Sequence, residues 1–172
     1  MKTILILGAG LSASSMIRYL LNHSERENWR LRIVDRDIDR VLKLIGGHKN
    51  ATALDFNATN SKERIPEIES ADIIISMLPA RFHVEVAEDC ISLNKNLITP
   101  SYISPEMKTL NERAANAGIA IMNEIGVDPG IDHMSAMKII DKIKENGDTL
   151  HSFKSFCGGL VAEEHDDNPW RY

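Results

Sequence analysis

Near the start of the chain, Gly8-Ala9-Gly10-Leu11-Ser12-Ala13 has the residue types and spacing to hold a diphosphate. It follows an apolar run at residues 3–7 and opens an amphipathic stretch. This is the strand–turn–helix setting that the G-x-G-x-x-A dinucleotide fingerprint requires. Gly8 allows the tight turn, and Gly10 lets a pyrophosphate approach the backbone. Ala13 is small enough for close helix–strand packing. Leu11 and Ser12 lie at the helix N-terminus, whose free N–H groups and positive dipole end favour an anion. A plain glycine turn between a strand and a helix is the alternative. Asp35, 25 positions beyond Gly10, ends the next apolar run. Its carboxylate can accept from a ribose 2′-hydroxyl, which leans the reading to NAD. Arg36 follows at once and Arg40 is one turn on, and an arginine there can hold the 2′-phosphate of NADP. Asp37 reads as a solvated charge.

Three further loops carry polar groups or proline. Ser76-Met77-Leu78-Pro79-Ala80 closes an apolar run and is expected beside the cofactor's ribose or nicotinamide; a proline-punctuated turn fits it equally well. Pro100-Ser101-Tyr102 and Asn123-Glu124-Ile125-Gly126-Val127-Asp128-Pro129-Gly130 close two more. Taken alone, Asp128 reads as a helix N-cap with Pro129 at the first helical position. Cys90 lies in an amphipathic stretch and reads as a small buried hydrophobe. Cys157, before Gly158-Gly159, is the better site candidate. No metal site is expected. Asp132 and His133 are adjacent and project about 100° apart on a helix, His165 lies among carboxylates, and neither C-x-x-C nor H-E-x-x-H occurs.

The elements that must position these groups are legible as periodicity. Strands are expected at residues 3–7, 31–34, 51–54, 72–76, 96–99 and 119–122. Helices are expected at 11–22, 38–45, 61–68, 83–93 and 104–117, with Gly46-Gly47 and Gly118 as stops and Ser104-Pro105 as a start. The run Ile73-Ile74-Ile75, apolar on both faces, suits a central parallel strand. Strict alternation implies right-handed crossovers, hence an α/β, Rossmann-like, doubly wound parallel sheet with helices on both faces. A further helix is expected from Asp128-Pro129-Gly130 to about residue 144, with Met134 and Met137 as core. Residues 150–156 alternate like a half-buried strand. The boundary falls near 125: residues 1–125 form the NAD(P)-binding domain. Residues 126–172 form a connecting helix and the start of a second α/β domain that cannot enclose its own core.

Composition bounds the partners. With 43% hydrophobic and 26% charged residues, the chain has enough apolar surface to offset its ordering entropy. A net charge of −5 gives no reason to expect nucleic acid or an anionic membrane. No apolar run approaches a bilayer span, and the first residues do not read as a signal peptide. Two cysteines fit a reducing cytoplasm without a disulfide framework.

At this level the chain resembles saccharopine dehydrogenase, the glutamate-forming type also called saccharopine reductase. The resemblance rests on Gly8–Ala13, on Ser76-Met77-Leu78-Pro79 with His83 and Val84, and on Thr99-Pro100-Ser101-Tyr102-Ile103-Ser104-Pro105. It rests further on the block from Met122 to Met134, on Cys157-Gly158-Gly159-Leu160 and on Asn168-Pro169-Trp170-Arg171-Tyr172. It implies a Rossmann domain followed by a second α/β domain that binds substrate and helps form a homodimer. It also implies NAD(P)-linked oxidation of saccharopine's secondary amine, the imine then hydrolysing to glutamate and 2-aminoadipate 6-semialdehyde. By resemblance, Ser101 and Tyr102 are the substrate-contact pair, and Asp128 lies near cofactor and substrate. Cys157 is at the active-site edge. Asp128 and Tyr102 are then the candidates for proton handling. Asp55 and Phe56 would lie near the adenine and Val127 by the nicotinamide. Family members are longer, so this chain is expected not to turn over saccharopine alone. The competing readings are a dehydrogenase of another secondary amine, of the carboxyspermidine type, and a non-catalytic nucleotide-binding module.

Overall fold

The structure, a computed structural model, describes residues 1–158. Two units divide the chain, residues 1–130 and residues 131–172.

The first unit holds six strands: β1 (Lys2–Leu7), β2 (Trp29–Val34), β3 (Ala51–Leu54), β4 (Ile73–Ser76), β5 (Asn96–Ile98) and β6 (Ile121–Met122). They form one parallel sheet in the order β3-β2-β1-β4-β5-β6. The order reverses between β1 and β4, and in such a sheet ligands bind outside the strand carboxyl ends at that point. The connecting helices are α1 (Ser14–His23), α2 (Ile38–Ile45), α3 (Ser61–Ser70), α4 (His83–Ser92), α5 (Pro105–Thr109) and α6 (Asn111–Asn116).

Strand alternation builds two cores. Ile4 and Ile6 face one side with Leu31, Ile33 and Ile75, covered by Ile17 and Leu21 of α1 and Val41 and Ile45 of α2. Leu5 and Leu7 face the other with Ile74 and Leu97, covered by Ile68 of α3, by Val86, Ala87 and Cys90 of α4, and by Met107 and Ala114 of α5 and α6. Each buried Leu, Ile, Val or Met among them contributes about 1.5–3 kcal/mol on leaving water.

Local signals set several boundaries. Gly46 ends α2 in the left-handed region at φ 55°. The Ser104 hydroxyl accepts from the Met107 N–H, with Pro105 at the first turn. The helix expected over 104–117 is two short helices with Leu110 between them. The first helix opens as a 3-10 turn over Leu11–Ala13.

The second unit contains α7 (Ile131–Glu145). None of its side chains is buried, and Met134 and Met137, expected as core, are about half exposed. Among the described residues of this unit α7 is the one helix, and it meets no second layer there against which to hide an apolar face. Residues 150–156 form no strand: alternation without a partner strand makes no ladder. Pro129 is not the first residue of α7, which starts two positions later, so Asp128 is not its N-cap; the Asp128–Pro129 peptide is cis. His165, Leu160, Trp170 and the acidic stretch around 163–167 lie outside the described residues. Among the described residues no helix is long and apolar enough to cross a membrane.

Candidate dinucleotide site

A crevice of about 380 Å³ lies at the carboxyl ends of β1, β2, β3 and β4. Gly8 and Gly10, Asp35, Arg36 and Arg40, and Met77, Leu78 and Pro79 line it, joined by Phe56, Asn57, Ala58, Thr59, Arg81 and Phe82. The sheet's hydrogen bonding runs on past the strands, Val34 O accepting from Gly8 N and Leu7 O from Met77 N, at 2.8 Å each. The loops therefore leave the sheet from fixed positions.

The two fingerprint glycines have different reasons. Gly8 has φ 101°, and a Cβ there would stand 3.0 Å from the Met77 carbonyl oxygen. Its own fold demands a glycine. Gly10 has φ −64°, open to any residue, and a Cβ there would meet nothing within 4 Å. The fold places no demand on Gly10, and the open space before it fits the pyrophosphate of a dinucleotide. Leu11 is 92% exposed and Ser12 exposed at the turn's outer side, while Ala13 is fully buried in the core.

Asp35 is half-buried, and each carboxylate oxygen already takes a main-chain N–H: Oδ2 from Ala9 at 2.7 Å and Oδ1 from Asp37 at 3.0 Å. Asp35 thus ties the glycine loop to the end of β2. Asp37 is not a plain solvated charge. It caps α2, accepting from the Arg40 N–H at 3.1 Å, and its other oxygen pairs with the Arg40 guanidinium. Sequence reasoning missed Arg81, which lies 4.7 Å over the Phe82 ring, and the Asn57–Thr59 turn. The signal for Arg81 was its place two residues beyond Pro79, in a loop already read as facing cofactor. Phe56 lines the crevice; Asp55 is exposed and does not.

Beneath the turn, buried Arg64 of α3 donates to the Ala58 carbonyl at 2.8 Å and pairs with Asp89 of α4 at 2.6 Å. A charge this deep is held only because every face of it is partnered.

From the end of β4 to the loop after β5 runs a line of neutral side chains. The Ser76 hydroxyl lies 3.0 Å from Nδ1 of His83, and Nε2 lies 2.8 Å from the Ser101 hydroxyl. Ser76 and His83 are buried, and burial pushes the His83 imidazole below its ordinary value, so it is uncharged at neutral pH. Ser101 O and Thr99 O accept from Glu124 N and Ile125 N, stitching the loop after β6 to the loop after β5. Tyr102, Val127 and Asp128 are exposed on these loops. In the second unit Cys157 is exposed. There His133 Nδ1 lies 2.8 Å from Asp132 Oδ1, so these neighbours meet rather than diverge. Cys90 is fully buried, its thiol pushed up to about 12 by loss of water.

Comparison with known proteins agrees along the whole chain. Residues 4–122 match the family model described as saccharopine dehydrogenase NADP binding domain, and residues 126–172 the model described as saccharopine dehydrogenase C-terminal domain. The chain is 38% identical over 172 residues to mitochondrial alpha-aminoadipic semialdehyde synthase of Bos taurus, covering 99% of the chain and 18% of that protein. It is 36% identical to the NADP(+), L-glutamate-forming saccharopine dehydrogenase of Schizosaccharomyces pombe, covering all of the chain and 38% of that protein. The solved apo structure of the L-Glu-forming enzyme from Saccharomyces cerevisiae superposes with a TM-score of 0.76 at 35% identity, over 100% of this chain and 38% of that one. The chain therefore spans well under half the length of these relatives.

Proposed function

Because the chain belongs to the saccharopine dehydrogenase family, we propose that it supplies the dinucleotide-binding part of an NADP-dependent oxidoreductase acting on the CH–NH bond of saccharopine. The reaction is its interconversion with glutamate and 2-aminoadipate 6-semialdehyde in lysine metabolism. The observation that carries the cofactor reading is the Gly10 position, where the fold leaves open the space a pyrophosphate needs. The bound nicotinamide supplies a hydride acceptor, and the chain's own residues bind and orient it. Gly8 and Gly10 bring the backbone to the pyrophosphate, and Phe56 offers a face for the adenine. Met77 and Leu78 close the crevice toward the ring, with Val127 assigned to the nicotinamide by family likeness.

The sequence leaned to NAD through Asp35. NADP is favoured by the family's name and by what Asp35 already does. Both its oxygens are engaged with main-chain N–H groups, while Arg36, Arg40 and Arg81 line the same crevice. An arginine fork suits a 2′-phosphate.

Substrate contact is assigned to Ser101 and Tyr102, and proton handling to Asp128 and Tyr102, with Cys157 at the site's edge. The small-molecule substrate is assigned to a site completed by a second domain, and family likeness assigns the enzyme to a homodimer. The two cysteines favour a reducing, cytoplasmic setting.

Calorimetric titration of the chain with NADPH and NADH tests the cofactor reading. NADPH binding at least tenfold tighter supports it. Tighter NADH returns the ribose to Asp35. No binding of either at millimolar concentration removes the reading.

A further inference from the structure

We infer that His83 is a positioning residue that commits the Ser101 hydroxyl to donate its proton outward, toward an oxygen of the ligand. The inference deepens the proposed function, since it takes from that reading only that Ser101 meets the substrate.

A neutral imidazole has one donor nitrogen and one acceptor nitrogen. The line Ser76–His83–Ser101 can therefore run in two directions only. In one, the Ser76 O–H donates to Nδ1, Nε2–H donates to the Ser101 oxygen, and the Ser101 O–H is left over. In the other, the Ser101 O–H donates to Nε2, Nδ1–H donates to the Ser76 oxygen, and the Ser76 O–H is left over. Ser76 is 0% exposed, and among the described residues the ring is its hydroxyl's hydrogen-bond partner. Leaving that proton unpaired in the core is costly. Ser101 is only half-buried and lies on the loop after β5, so its spare proton can reach a ligand or water. The first direction wins, and with it the Nε2–H tautomer. Protonation of the ring would strand the Ser76 proton as well, in keeping with the lowered affinity of His83 for a proton.

The consequence is chemical selectivity. With its oxygen already accepting from Nε2–H, Ser101 presents a polarised O–H. That suits the carboxylate of an amino-acid substrate and gives an ammonium group a poor partner. The main-chain bond from Ser101 N–H to the Thr99 hydroxyl, at 3.3 Å, fixes the loop that carries it.

The test is long-range proton–nitrogen correlation NMR on the nitrogen-15-labelled chain at pH 7, with the His83 ring identified by its loss in His83→Gln. The expected result is a neutral Nε2–H ring, in about tenfold or greater excess over Nδ1–H. That pattern should persist in Ser101→Ala and shift toward Nδ1–H in Ser76→Ala, because Ser76 is the group that sets the direction. A wild-type Nδ1–H ring, an imidazolium, or a shift in Ser101→Ala with none in Ser76→Ala overturns the inference. If either alanine variant does not fold, the wild-type ring pattern decides. NADPH added to the same sample separates the two claims: a missing response to cofactor defeats the proposed function and leaves the tautomer result standing.

Discussion

At the carboxyl end of β2 the groups by the crevice are charged, and the carboxylates of Asp35 and Asp37 are anchored by main-chain N–H groups. At the ends of β4 and β5 a neutral line of side chains, Ser76 and His83 buried and Ser101 half-buried, is linked side chain to side chain. The first arrangement faces water and reads a ligand by charge. Its side chains can change without opening the core. The second is part of the core, so its chemistry and its stability cannot be separated by a simple deletion. One sheet edge thus offers adjustable charge on one side and a directional hydrogen-bond line on the other.

The strongest way to break this contrast is to attack the strut that joins the two halves. Arg64→Met removes the donor to Ala58 and leaves Asp89 partly buried without its partner. We expect a loss of about 3–5 kcal/mol in urea unfolding; a loss under 1 kcal/mol would show that the pair braces nothing. Gly10→Val comes next and isolates the charged half. Stability should change little, since the added side chain enters open space. NADPH affinity should fall at least about 100-fold, or about 2.7 kcal/mol. Equal losses of both would mean that the loop packs against something other than a ligand.

The same contrast explains what was legible in the sequence. The parallel sheet was readable because buried strands such as Ile73-Ile74-Ile75 are apolar on both faces. The fingerprint was readable because Gly8 is required by a local turn. The split of the fifth expected helix at Leu110 was not, since its apolar periodicity runs through the break. Nor was the strand expected at 150–156 separable from coil, because pairing is a property of two segments. In the site, Asp35 was found but its engagement with Ala9 N–H was not, being a contact across 26 positions. His83 was visible as a residue, but its place between two serines is set by the end of β4, the start of α4 and the loop after β5. Arg64 and Asp89 lie on separate helices, and helical periodicity alone does not reveal the turn after β3 beneath which they meet.

Asp35→Asn sharpens the comparison on its charged side. Asparagine keeps an oxygen for the Ala9 N–H but removes the charge that a 2′-phosphate would meet. We expect NADPH to bind about three- to tenfold more tightly and NADH to change less, since an exposed charge contact is worth about 1 kcal/mol. Weaker NADPH binding would mean that the carboxylate's role in shaping the glycine loop outweighs its repulsion.

The smallest effect belongs to the neutral side and concerns pH. Burial lowers the His83 pKa in the folded chain below its ordinary 6.5. As pH falls through 6.5, the unfolded chain takes up a proton at this position before the folded chain does. Linkage then requires stability to fall with pH across the window just below 6.5 and to level off once the folded ring also protonates. A raised folded pKa would give the opposite sign. Urea unfolding of the wild type and of His83→Gln between pH 7.5 and 5 reads this directly. The wild type should lose more stability on acidification than the variant, and the difference between the two curves should appear only below about pH 6.5. Parallel curves would mean that the ring titrates as it does in water, which the line from Ser76 to Ser101 does not allow.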